Sequence, residues 1–324
     1  MDKIKFMDFC AGIGGGRLGL TNSGLKCVAY SEIDLNSEKT YKIFFGDKEK
    51  NYGDLTKIKA KELPEFDLLI GGFPCQTFSI VGKRAGFEDN RGMIIYSLIE
   101  IMKQRNTPYF ILENVKGLVN HDKGRTLKII KELITKNDYD LYYKVLNSFD
   151  FGVPQMRERI YFVGIKKGFS KKNFKWPKTL PPKQLNKILV DLESEFFDEK
   201  NITFQKYLNN KYNKGKFNLD KILSQDYLVL DTRQSDLRLY NNRVPTLRTG
   251  RHGILYVRNG KLHKLTGYEG LLLQGFSKKL ASKSKKEEIN NNKLLSQVGN
   301  AMTINVIQAI CNELLECIKE NMND

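Results

Sequence analysis

A cysteine with the surroundings of a reactive thiol lies in the segment Phe73-Pro74-Cys75-Gln76. The apolar run before it, residues 66–72, ends in Gly-Gly and predicts a buried parallel strand. Ligands of open α/β sheets bind beyond the carboxyl ends of strands, so Cys75 lies where such sheets carry chemistry. A thiolate there can attack an electron-poor carbon. The alternative is a buried cysteine that packs as a small hydrophobe, and position alone does not decide between the two.

A carboxylate and two guanidinium groups follow other predicted strands. Glu113 closes the predicted strand over residues 109–112, where it is a candidate proton donor or a partner for a ring nitrogen. Arg157 and Arg159 are two positions apart, so on an extended segment both point to one face. There they could bind a carbonyl oxygen or a phosphate. The alternatives are a solvated carboxylate and an exposed basic edge.

The first predicted strand leads into a glycine-rich turn, residues 8–17, with the sequence DFCAGIGGGR. Glycines let the backbone approach a ligand, and the N-terminus of the following helix favours negative charge. The turn lacks the last glycine or alanine of the dinucleotide-binding fingerprint, which disfavours a nicotinamide oxidoreductase. A tight turn without a ligand is the alternative.

Three further side chains follow predicted strands and suit a cofactor that contains adenosine. Glu32 lies 20 residues after Gly12, where an acid can accept hydrogen bonds from both hydroxyls of a ribose. Ile33 could pack on an adenine face, and Asp54 could accept a hydrogen bond from the adenine amino group. Each could be an ordinary surface side chain, but the three together favour such a cofactor.

The composition is typical of a soluble globular protein in reducing surroundings. Hydrophobic residues make up 40% and charged residues 28% of the 324 residues. No apolar run is long enough to span a bilayer, and the first residues continue directly into a predicted strand, so we expect neither a membrane segment nor a signal peptide. Five cysteines without a Cys-x-x-Cys pair argue against a disulfide framework and against a zinc site.

The positive charge is concentrated in one part of the chain. The net charge is +17. Residues 169–293 contain 26 basic and 12 acidic side chains, whereas the rest of the chain contains 28 and 25. A polyanion is the expected partner, bound through phosphate contacts that weaken with salt. A general bias towards lysine and asparagine would explain the basic composition, but not its concentration in one segment.

Strands and helices alternate over the first half of the sequence. This alternation favours a mostly parallel sheet that is covered by helices on both faces. The last two predicted strands, over residues 142–146 and 160–165, are expected to be antiparallel to each other.

A basic segment interrupts this regular pattern. Prolines, lysines and short glycine-punctuated strands replace the alternation after about residue 166. A surface loop is predicted over residues 290–293, followed by a helix with Thr303 as its N-cap. We therefore predict a sheet domain over residues 1–167 and 294–324, and an inserted basic domain over residues 168–293.

Six motifs, in order along the chain, resemble those of the DNA (cytosine-5) methyltransferases of bacterial modification systems. They are Asp8-Phe9-x-Ala11-Gly12-x-Gly14-Gly15, Gly72-Phe73-Pro74-Cys75-Gln76-x-Phe78-Ser79, Glu113-Asn114-Val115, Gln155-x-Arg157-x-Arg159, Arg243-x-Pro245-Thr246-Leu247 and Gln297-Val298-Gly299-Asn300-Ala301. The chain departs from the family at Cys10, where many members have an aromatic residue, and at Ala301, where serine is common. Both changes affect the packing of the cofactor, and neither removes a catalytic group.

The resemblance implies an α/β fold: a Rossmann-like, mostly parallel sheet of the S-adenosylmethionine-dependent methyltransferase type with an inserted, smaller, β-rich target recognition domain. It implies methyl transfer from S-adenosylmethionine, which becomes S-adenosylhomocysteine, to carbon 5 of a cytosine rotated out of double-stranded DNA. Cys75 would be the nucleophile, Glu113 would bind or protonate N3, and Arg159, supported by Arg157, would contact the base carbonyl.

The resemblance and the residue patterns together give the expected binding residues. Cofactor contacts are predicted at Asp8, Phe9, Cys10, Gly12, Ile13, Gly14, Gly15, Glu32, Ile33, Asp54, Leu55, Gly72, Pro74, Asn300 and Ala301. DNA contacts are predicted at Ser79, Val81, Lys83 and Arg91, in a candidate mobile loop, and at Gln234, Arg238, Thr246, Arg248 and Arg251 in the basic domain.

The family further implies a cytoplasmic, nucleoid-associated monomer without a metal or a membrane, in a restriction-modification system. A companion endonuclease and a role as an orphan regulator are both open. A tRNA cytosine-5 methyltransferase and a catalytically silent nucleic-acid-binding module are the competing functions. The basic insertion favours duplex DNA over tRNA, and the complete set of Cys75, Glu113 and Arg159 argues against a silent module.

Overall fold

The structure, a computed structural model, describes residues 3–73, 93–169 and 173–322. The chain forms two compact units. The first consists of Met1–Asn147, Glu158–Thr179 and Ala301–Asp324, and the second of Ser148–Arg157 and Leu180–Asn300. The assignment of a cofactor domain and a recognition domain to the predicted ranges stays a prediction.

The first unit is built on a seven-stranded sheet. Its strands are β1 (Lys5–Phe9), β2 (Lys26–Ser31), β3 (Lys50–Asn51), β4 (Leu68–Gly72), β5 (Tyr109–Val115), β6 (Tyr139–Asn147) and, after the short β7 (Gln155–Met156) of the second unit, β8 (Glu158–Lys166). They are arranged in the order β3-β2-β1-β4-β5-β8-β6. The strands from β3 to β5 are parallel, while β8 is antiparallel to both β5 and β6. The predictions of a mostly parallel sheet and of a last antiparallel pair are confirmed.

Four helices of the first unit connect these strands. They are α1 (Gly15–Asn22), α2 (Leu35–Phe45), α3 (Met93–Gln104) and α4 (Arg125–Thr135). The bounds of α2 follow from local chemistry, because the Asp34 carboxylate accepts a hydrogen bond from the Ser37 amide at 2.7 Å and Gly46 ends the helix with a φ of 82°. The core of the unit contains fully buried residues such as Met7, Phe110 and Phe162.

The second unit contains an antiparallel sheet of its own. Its strands are β9 (Val229–Asp231), β10 (Arg238–Tyr240), β12 (Ile254–Arg258) and β13 (Lys261–Lys264), in the order β10-β9-β12-β13. A separate parallel pair joins β7 to β11 (Val244–Pro245). The helices are α5 (Ile202–Leu208), α6 (Leu219–Leu223), α7 (Gly267–Leu273), α8 (Lys278–Lys286) and α9 (Asn291–Asn300). This sheet matches the prediction of a β-rich insertion.

Two local predictions need correction. The surface loop predicted over residues 290–293 is wrong from Asn291 onward, because α9 begins there. The Asn290 side chain accepts hydrogen bonds from the amides of Asn292 and Lys293 at 3.0 and 3.2 Å, as an N-cap does. Glu113 does not follow its strand but lies within β5, which continues to Val115.

The last helix, α10 (Ile304–Met322), belongs to the first unit, where it packs against α1. A side chain at Gly19 of α1 would lie 2.6 Å from Ile307, so the two helices approach closely because this position is glycine. The helical stretch Asn291–Lys319 has the length and composition of a membrane span. However, 61% of that window is buried inside the fold, as in a core helix.

Candidate active site

The glycine-rich turn between β1 and α1 contains three residues in the left-handed region. Cys10, Gly12 and Gly14 have φ angles of 51°, 55° and 83°. This conformation suits glycine and is uncommon for cysteine. A side chain at Gly12 would meet nothing within 4 Å, whereas one at Gly14 would lie 2.2 Å from the Phe45 ring. The turn therefore has open space at Gly12, where a ligand can approach the backbone.

Asp8 is buried in β1 and has one unused carboxylate oxygen. Its Oδ2 atom accepts a hydrogen bond from the Arg17 amide at 3.2 Å. Its Oδ1 atom has no hydrogen-bond partner among the residues that the structure describes. Burial raises the pKa of Asp8 well above its usual range. A buried polar atom of this kind requires a partner, and a bound ligand can supply one.

Arg17 occupies the position where the dinucleotide fingerprint would have glycine or alanine. Its guanidinium lies 3.3 Å from the Tyr41 hydroxyl, 3.1 Å from the Glu49 carboxylate and 4.3 Å from the centre of the Phe45 ring. All these contacts lie within the first unit, and the Glu49 carboxylate compensates the charge of Arg17. Arg17 therefore connects α1 to α2 and to the residues after it.

Glu32 lies directly after β2 and bonds to the glycine-rich turn. Its Oε2 atom accepts a hydrogen bond from the Gly12 amide at 2.6 Å, and Oε1 accepts one from Asp34 at 2.7 Å. The Asn51 side chain accepts from the amides of Glu32 and Gly53, both at 2.9 Å. Burial raises the pKa of Glu32. Each carboxylate oxygen can accept a second hydrogen bond, so two ribose hydroxyls can still bind.

The other predicted adenosine contacts lie nearby in sequence and differ in exposure. Ile33 is 70% exposed, whereas Leu55 is buried. Asp54 caps the short 3-10 helix Leu55–Lys57, and its Oδ1 atom accepts hydrogen bonds from the Thr56 amide at 3.0 Å and the Thr56 hydroxyl at 2.7 Å. The hydrogen bond from the Thr56 hydroxyl holds the pKa of Asp54 below its usual value, so this carboxylate stays charged.

These residues fit an adenosine-containing cofactor such as S-adenosylmethionine. The turn is open at Gly12, Asp8 has an unused buried oxygen, and Glu32 has spare acceptor sites. The exposed apolar surface of Ile33 is one that an adenine ring could cover. Together they supply a backbone approach, hydrogen-bond acceptors and a stacking surface.

Other predicted cofactor residues are fixed by packing inside the first unit. Phe9 and Ile13 are fully buried, so their side chains belong to the core and only their backbone can contact a ligand. A side chain at Gly15 would lie 2.4 Å from the carbonyl of Met302, and one at Gly72 would lie 3.1 Å from the Met302 methyl group. These glycines therefore allow Met302 to pack closely.

The structure brings together Glu113 and Arg159, two of the predicted catalytic residues. Glu113 pairs with Gly72 across β4 and β5. Its Oε1 atom lies 3.1 Å from Nε of Arg159, and the two side chains are only 10% and 13% exposed. Limited access to water strengthens this ion pair. The pair lies near the end of the strand that leads towards Cys75.

Asn114 connects the same strands and was given no role by the sequence analysis. Its side-chain amide donates a hydrogen bond to the Phe73 carbonyl at 2.8 Å, and its carbonyl oxygen accepts one from the Val115 amide at 2.7 Å. The Phe73 amide donates to the Glu113 carbonyl at 3.3 Å. Asn114 thus ties Phe73, the last described residue before Pro74, to β5. The sequence signal that could have identified it is an amide side chain directly after Glu113, at the end of an apolar predicted strand.

Several predicted residues lie outside the described part of the chain. They are Pro74, Cys75, Ser79, Val81, Lys83 and Arg91. Among the described cysteines, burial raises the pKa of the Cys10, Cys27 and Cys311 thiols to about 12, and Cys317 is buried. Thiols with such pKa values carry little thiolate at neutral pH. None of these three thiols therefore has the character of a nucleophile.

Arg157 has surroundings different from those of Arg159. It is 2% exposed and lies in the second unit, where its guanidinium donates hydrogen bonds to the carbonyls of Leu247 and Gly299 at 3.3 and 3.0 Å. Within the described part of the chain, Arg157 thus bonds to backbone carbonyls of the second unit, whereas Arg159 pairs with Glu113 of the first unit. The prediction that Arg157 supports Arg159 at the base stays a prediction.

The predicted DNA contacts in the second unit are mostly accessible. Arg238 is exposed and lies 2.9 Å from Asp236, and Gln234 is half-buried. Arg248 and Arg251 are exposed and line a cavity of about 280 Å³. The Thr246 hydroxyl instead donates a hydrogen bond to a backbone carbonyl of the same unit.

The two residues of the last predicted cofactor motif also differ. Asn300 ends α9, is exposed and accepts a hydrogen bond from the Thr249 hydroxyl at 2.6 Å. Ala301 is buried in the first unit.

Comparisons with known proteins show the family of the chain. Residues 4–316 match the family model for the C-5 cytosine-specific DNA methylase. The chain is 33% identical to the Type II methyltransferase M.HhaI of Haemophilus parahaemolyticus, over 95% of this chain and 93% of the relative. It is 35% identical to the Type II methyltransferase M.HaeII of Haemophilus aegyptius, over 98% and 95%. The fold resembles that of a DNMT2 mutant from Spodoptera frugiperda, with a TM-score of 0.69, 20% identity and coverage of 98% and 100%.

Proposed function

Because the chain belongs to the C-5 cytosine-specific DNA methylase family, we propose that it methylates carbon 5 of a cytosine flipped out of DNA, through a transient bond to Cys75. S-adenosylmethionine is the proposed cofactor and supplies an electrophilic methyl group when bound. The observation that carries the proposal is the Glu113–Arg159 ion pair at 3.1 Å. It joins β8 to β5, the strand beside the one that leads to Cys75.

The following proposed cofactor contacts are residues of the first unit. Glu32 would accept hydrogen bonds from the ribose hydroxyls, and Ile33 would pack on the adenine. Asp54 would accept from the adenine amino group. The open backbone at Gly12 and the unused oxygen of Asp8 would face the remaining part of the cofactor.

The proposed chemistry overcomes the low nucleophilicity of carbon 5 in the aromatic ring. The Cys75 thiolate forms a bond to carbon 6, which breaks the conjugation and makes carbon 5 enamine-like. Glu113 protonates or hydrogen-bonds N3 and so stabilises the developing charge, while Arg159 binds the carbonyl oxygen at C2. After the methyl group is attached, carbon 5 loses its proton to a base and the bond to Cys75 breaks. The products are 5-methylcytosine, the free thiolate and S-adenosylhomocysteine, which is the cofactor without its methyl group.

The reacting carbons are inaccessible inside a stacked duplex, so the target nucleotide must leave the helix at a cost of about a few kcal/mol. Ser79, Val81, Lys83 and Arg91 are the proposed DNA contacts before α3. The basic domain over residues 168–293 is the proposed target recognition domain, whose excess of cations would bind DNA phosphates. We place the enzyme, as a monomer, in a restriction-modification system in the cytoplasm.

The experiment that tests the proposal is methylation of plasmid DNA in a host that lacks cytosine methylation. We expect bisulfite sequencing to find protected cytosines within one short motif, and the purified protein to transfer labelled methyl groups from S-adenosylmethionine to the same DNA. Transfer to tRNA but not to duplex DNA would instead favour the RNA methyltransferase. No transfer to either would favour the silent binding module.

A further inference from the structure

Among the residues whose burial the structure describes, Arg157 has the largest fully buried side chain, and it carries a charge. A buried guanidinium is stable only when it finds acceptors. Its Nη1 atom donates hydrogen bonds to the Leu247 carbonyl at 3.3 Å and to the Gly299 carbonyl at 3.0 Å. Leu247 follows β11 and Gly299 lies near the end of α9, so one side chain joins two segments that are distant in sequence.

Gln155, two residues before Arg157, binds the same peptide. Its side-chain oxygen accepts a hydrogen bond from the Leu247 amide at 3.2 Å, and its side-chain nitrogen donates to the Leu273 carbonyl at 2.9 Å. The amide and the carbonyl of Leu247 are therefore both bound by side chains of one short segment. The parallel pairing of β7 with β11 aligns the two backbones.

Helix α9 contacts the residues that follow Leu247 from another direction. A side chain at Gly299 would lie only 2.5 Å from the Thr249 amide nitrogen, so the helix and this loop touch backbone to backbone. The Thr249 hydroxyl lies 2.6 Å from Oδ1 of Asn300 and 2.9 Å from the Ser296 carbonyl. All these residues belong to the second unit.

The loop held in this way consists of residues 248–251 and is termed the arginine loop. Arg248 and Arg251 are exposed, and their side chains line one cavity together with Lys264. The buried contacts on one side of the loop and the exposed cations on the other suit a segment that must present arginines in a fixed position to DNA.

We infer that Arg157 is a positioning residue, which fixes the arginine loop for reading the target sequence and does not touch the target cytosine. This inference rests on the proposed function and deepens it. It gives Arg157 a role different from that of Arg159, which is paired with Glu113. Loss of Arg157 should therefore impair DNA recognition, whereas loss of Arg159 should impair the chemical step.

The test compares four variants of the whole protein with the wild type. Arg157→Met removes the hydrogen bonds to the Leu247 and Gly299 carbonyls, and Arg157→Lys keeps the charge and can restore one of these two. Thr249→Val removes the exposed contact to α9 without disturbing the core, so it serves if Arg157→Met does not fold. Arg125→Met is the matched control, since Arg125 is 70% exposed in the first unit. The measurements are the melting temperature, kcat, KM for DNA, and the methylated motif found by bisulfite sequencing.

We expect Arg157→Met and Thr249→Val to raise KM for DNA about tenfold, as the loss of one or two hydrogen bonds would. The methylated motif should become less strict, while kcat stays within about twofold and Arg157→Lys recovers part of the loss. Unchanged KM and motif with only a lower melting temperature would overturn the inference. So would a collapse of kcat with normal KM, which would assign Arg157 to the chemistry. A wild type that methylates no cytosine would refute the proposed function itself.

Discussion

At the scale of single residues, the environment of each cysteine limits which sulfur can react. Burial raises the pKa of the Cys10, Cys27 and Cys311 thiols to about 12, so they remain protonated at neutral pH. Cys317 is buried in the last helix. Cys75 is the candidate supported by its position after β4 and by Glu113 in the neighbouring β5, which pairs with Arg159 of β8. The environment of Glu32 likewise sets its properties. Burial raises the pKa of this carboxylate, although it accepts hydrogen bonds from two backbone amides.

The covalent step predicts that Cys75→Ala abolishes methyl transfer but leaves much of the affinity for DNA. With DNA that contains 5-fluorocytosine, the wild type should form a complex that survives denaturation, because fluorine cannot leave as the proton does. Gel electrophoresis under denaturing conditions measures this complex. Cys317→Ala, the control, should form it normally, and labelled methyl transfer by purified Cys75→Ala would contradict the role of Cys75.

The raised pKa of Glu32 predicts a pH dependence of cofactor binding. The ionised carboxylate accepts hydrogen bonds best, and burial delays its ionisation to a higher pH than usual for Glu. Affinity for S-adenosylmethionine should therefore rise with pH through this raised pKa and level off above it. Glu32→Gln should weaken binding about tenfold and remove this rise.

Isothermal titration calorimetry from pH 5 to 8 measures the effect. The control is Glu62→Gln, whose exposed carboxylate lies in the same unit. Equal pH profiles for the wild type and Glu32→Gln would contradict the role of Glu32.

At the scale of elements, a buried polar network in the second unit joins α7 to the sheet. Glu269 forms a capping box with Thr266 at the start of α7 and accepts a hydrogen bond from the Tyr256 hydroxyl at 2.8 Å. The same hydroxyl lies 3.1 Å from Ser194, whose own hydroxyl lies 2.7 Å from Nδ1 of His263. Burial raises the pKa of Glu269 to about 7 and lowers that of His263.

This network predicts that the stability of the second unit depends on pH. The neutral Glu269 carboxyl contributes stability that is fully present below the ordinary pKa of 4.5 and is lost as pH rises through about 7. His263 acts in the opposite direction, because its lowered pKa costs stability as pH falls below 6.5.

Melting temperatures of the wild type and Glu269→Gln between pH 5 and 8 separate the two contributions, since His263 is common to both proteins. We expect the stability advantage of the wild type to shrink towards pH 8. Glu287→Gln, an exposed change in the same unit, is the control and should follow the wild type. A wild-type advantage that is constant or grows with pH would refute this account.

At the scale of the whole molecule, charge and chemistry are divided along the chain. Residues 169–293 have an excess of 14 positive charges, whereas the remainder of the chain has an excess of only 3. The predicted cofactor residues in β1, β2 and the turns after them lie in the nearly neutral part. This division is consistent with one part that binds a polyanion and another that binds a small cofactor.

The charge distribution predicts a steep dependence of DNA affinity on salt. If the basic segment contacts 6–10 phosphates, affinity should fall about 10³–10⁵-fold between 50 and 200 mM salt. Fluorescence anisotropy with a labelled duplex measures this slope. Affinity for S-adenosylmethionine, measured in the same buffers, should change far less and is the internal control. A flat DNA response would contradict phosphate binding by this segment.

The sequence alone determined the class of sheet and the identity of the chemical groups, because these depend on local patterns. The alternation of strands and helices and the position of Cys75 after a predicted strand are both visible in neighbouring residues. The sequence analysis missed the start of α9 at Asn291. A polar run such as residues 290–293 is typical both of a surface loop and of a capped first turn of a helix, and here Asn290 caps the helix.

Only the tertiary structure decided which of these groups meet. The spacing of Arg157 and Arg159 suggested that both point to one face. In the structure, Arg157 donates to the carbonyls of Leu247 and Gly299, whereas Arg159 pairs with Glu113. The physical reason is that a buried charged side chain needs acceptors, and those of Arg157 come from segments 90 and 142 residues away in sequence. No local pattern records such distant partners, so the role of each arginine depended on the fold.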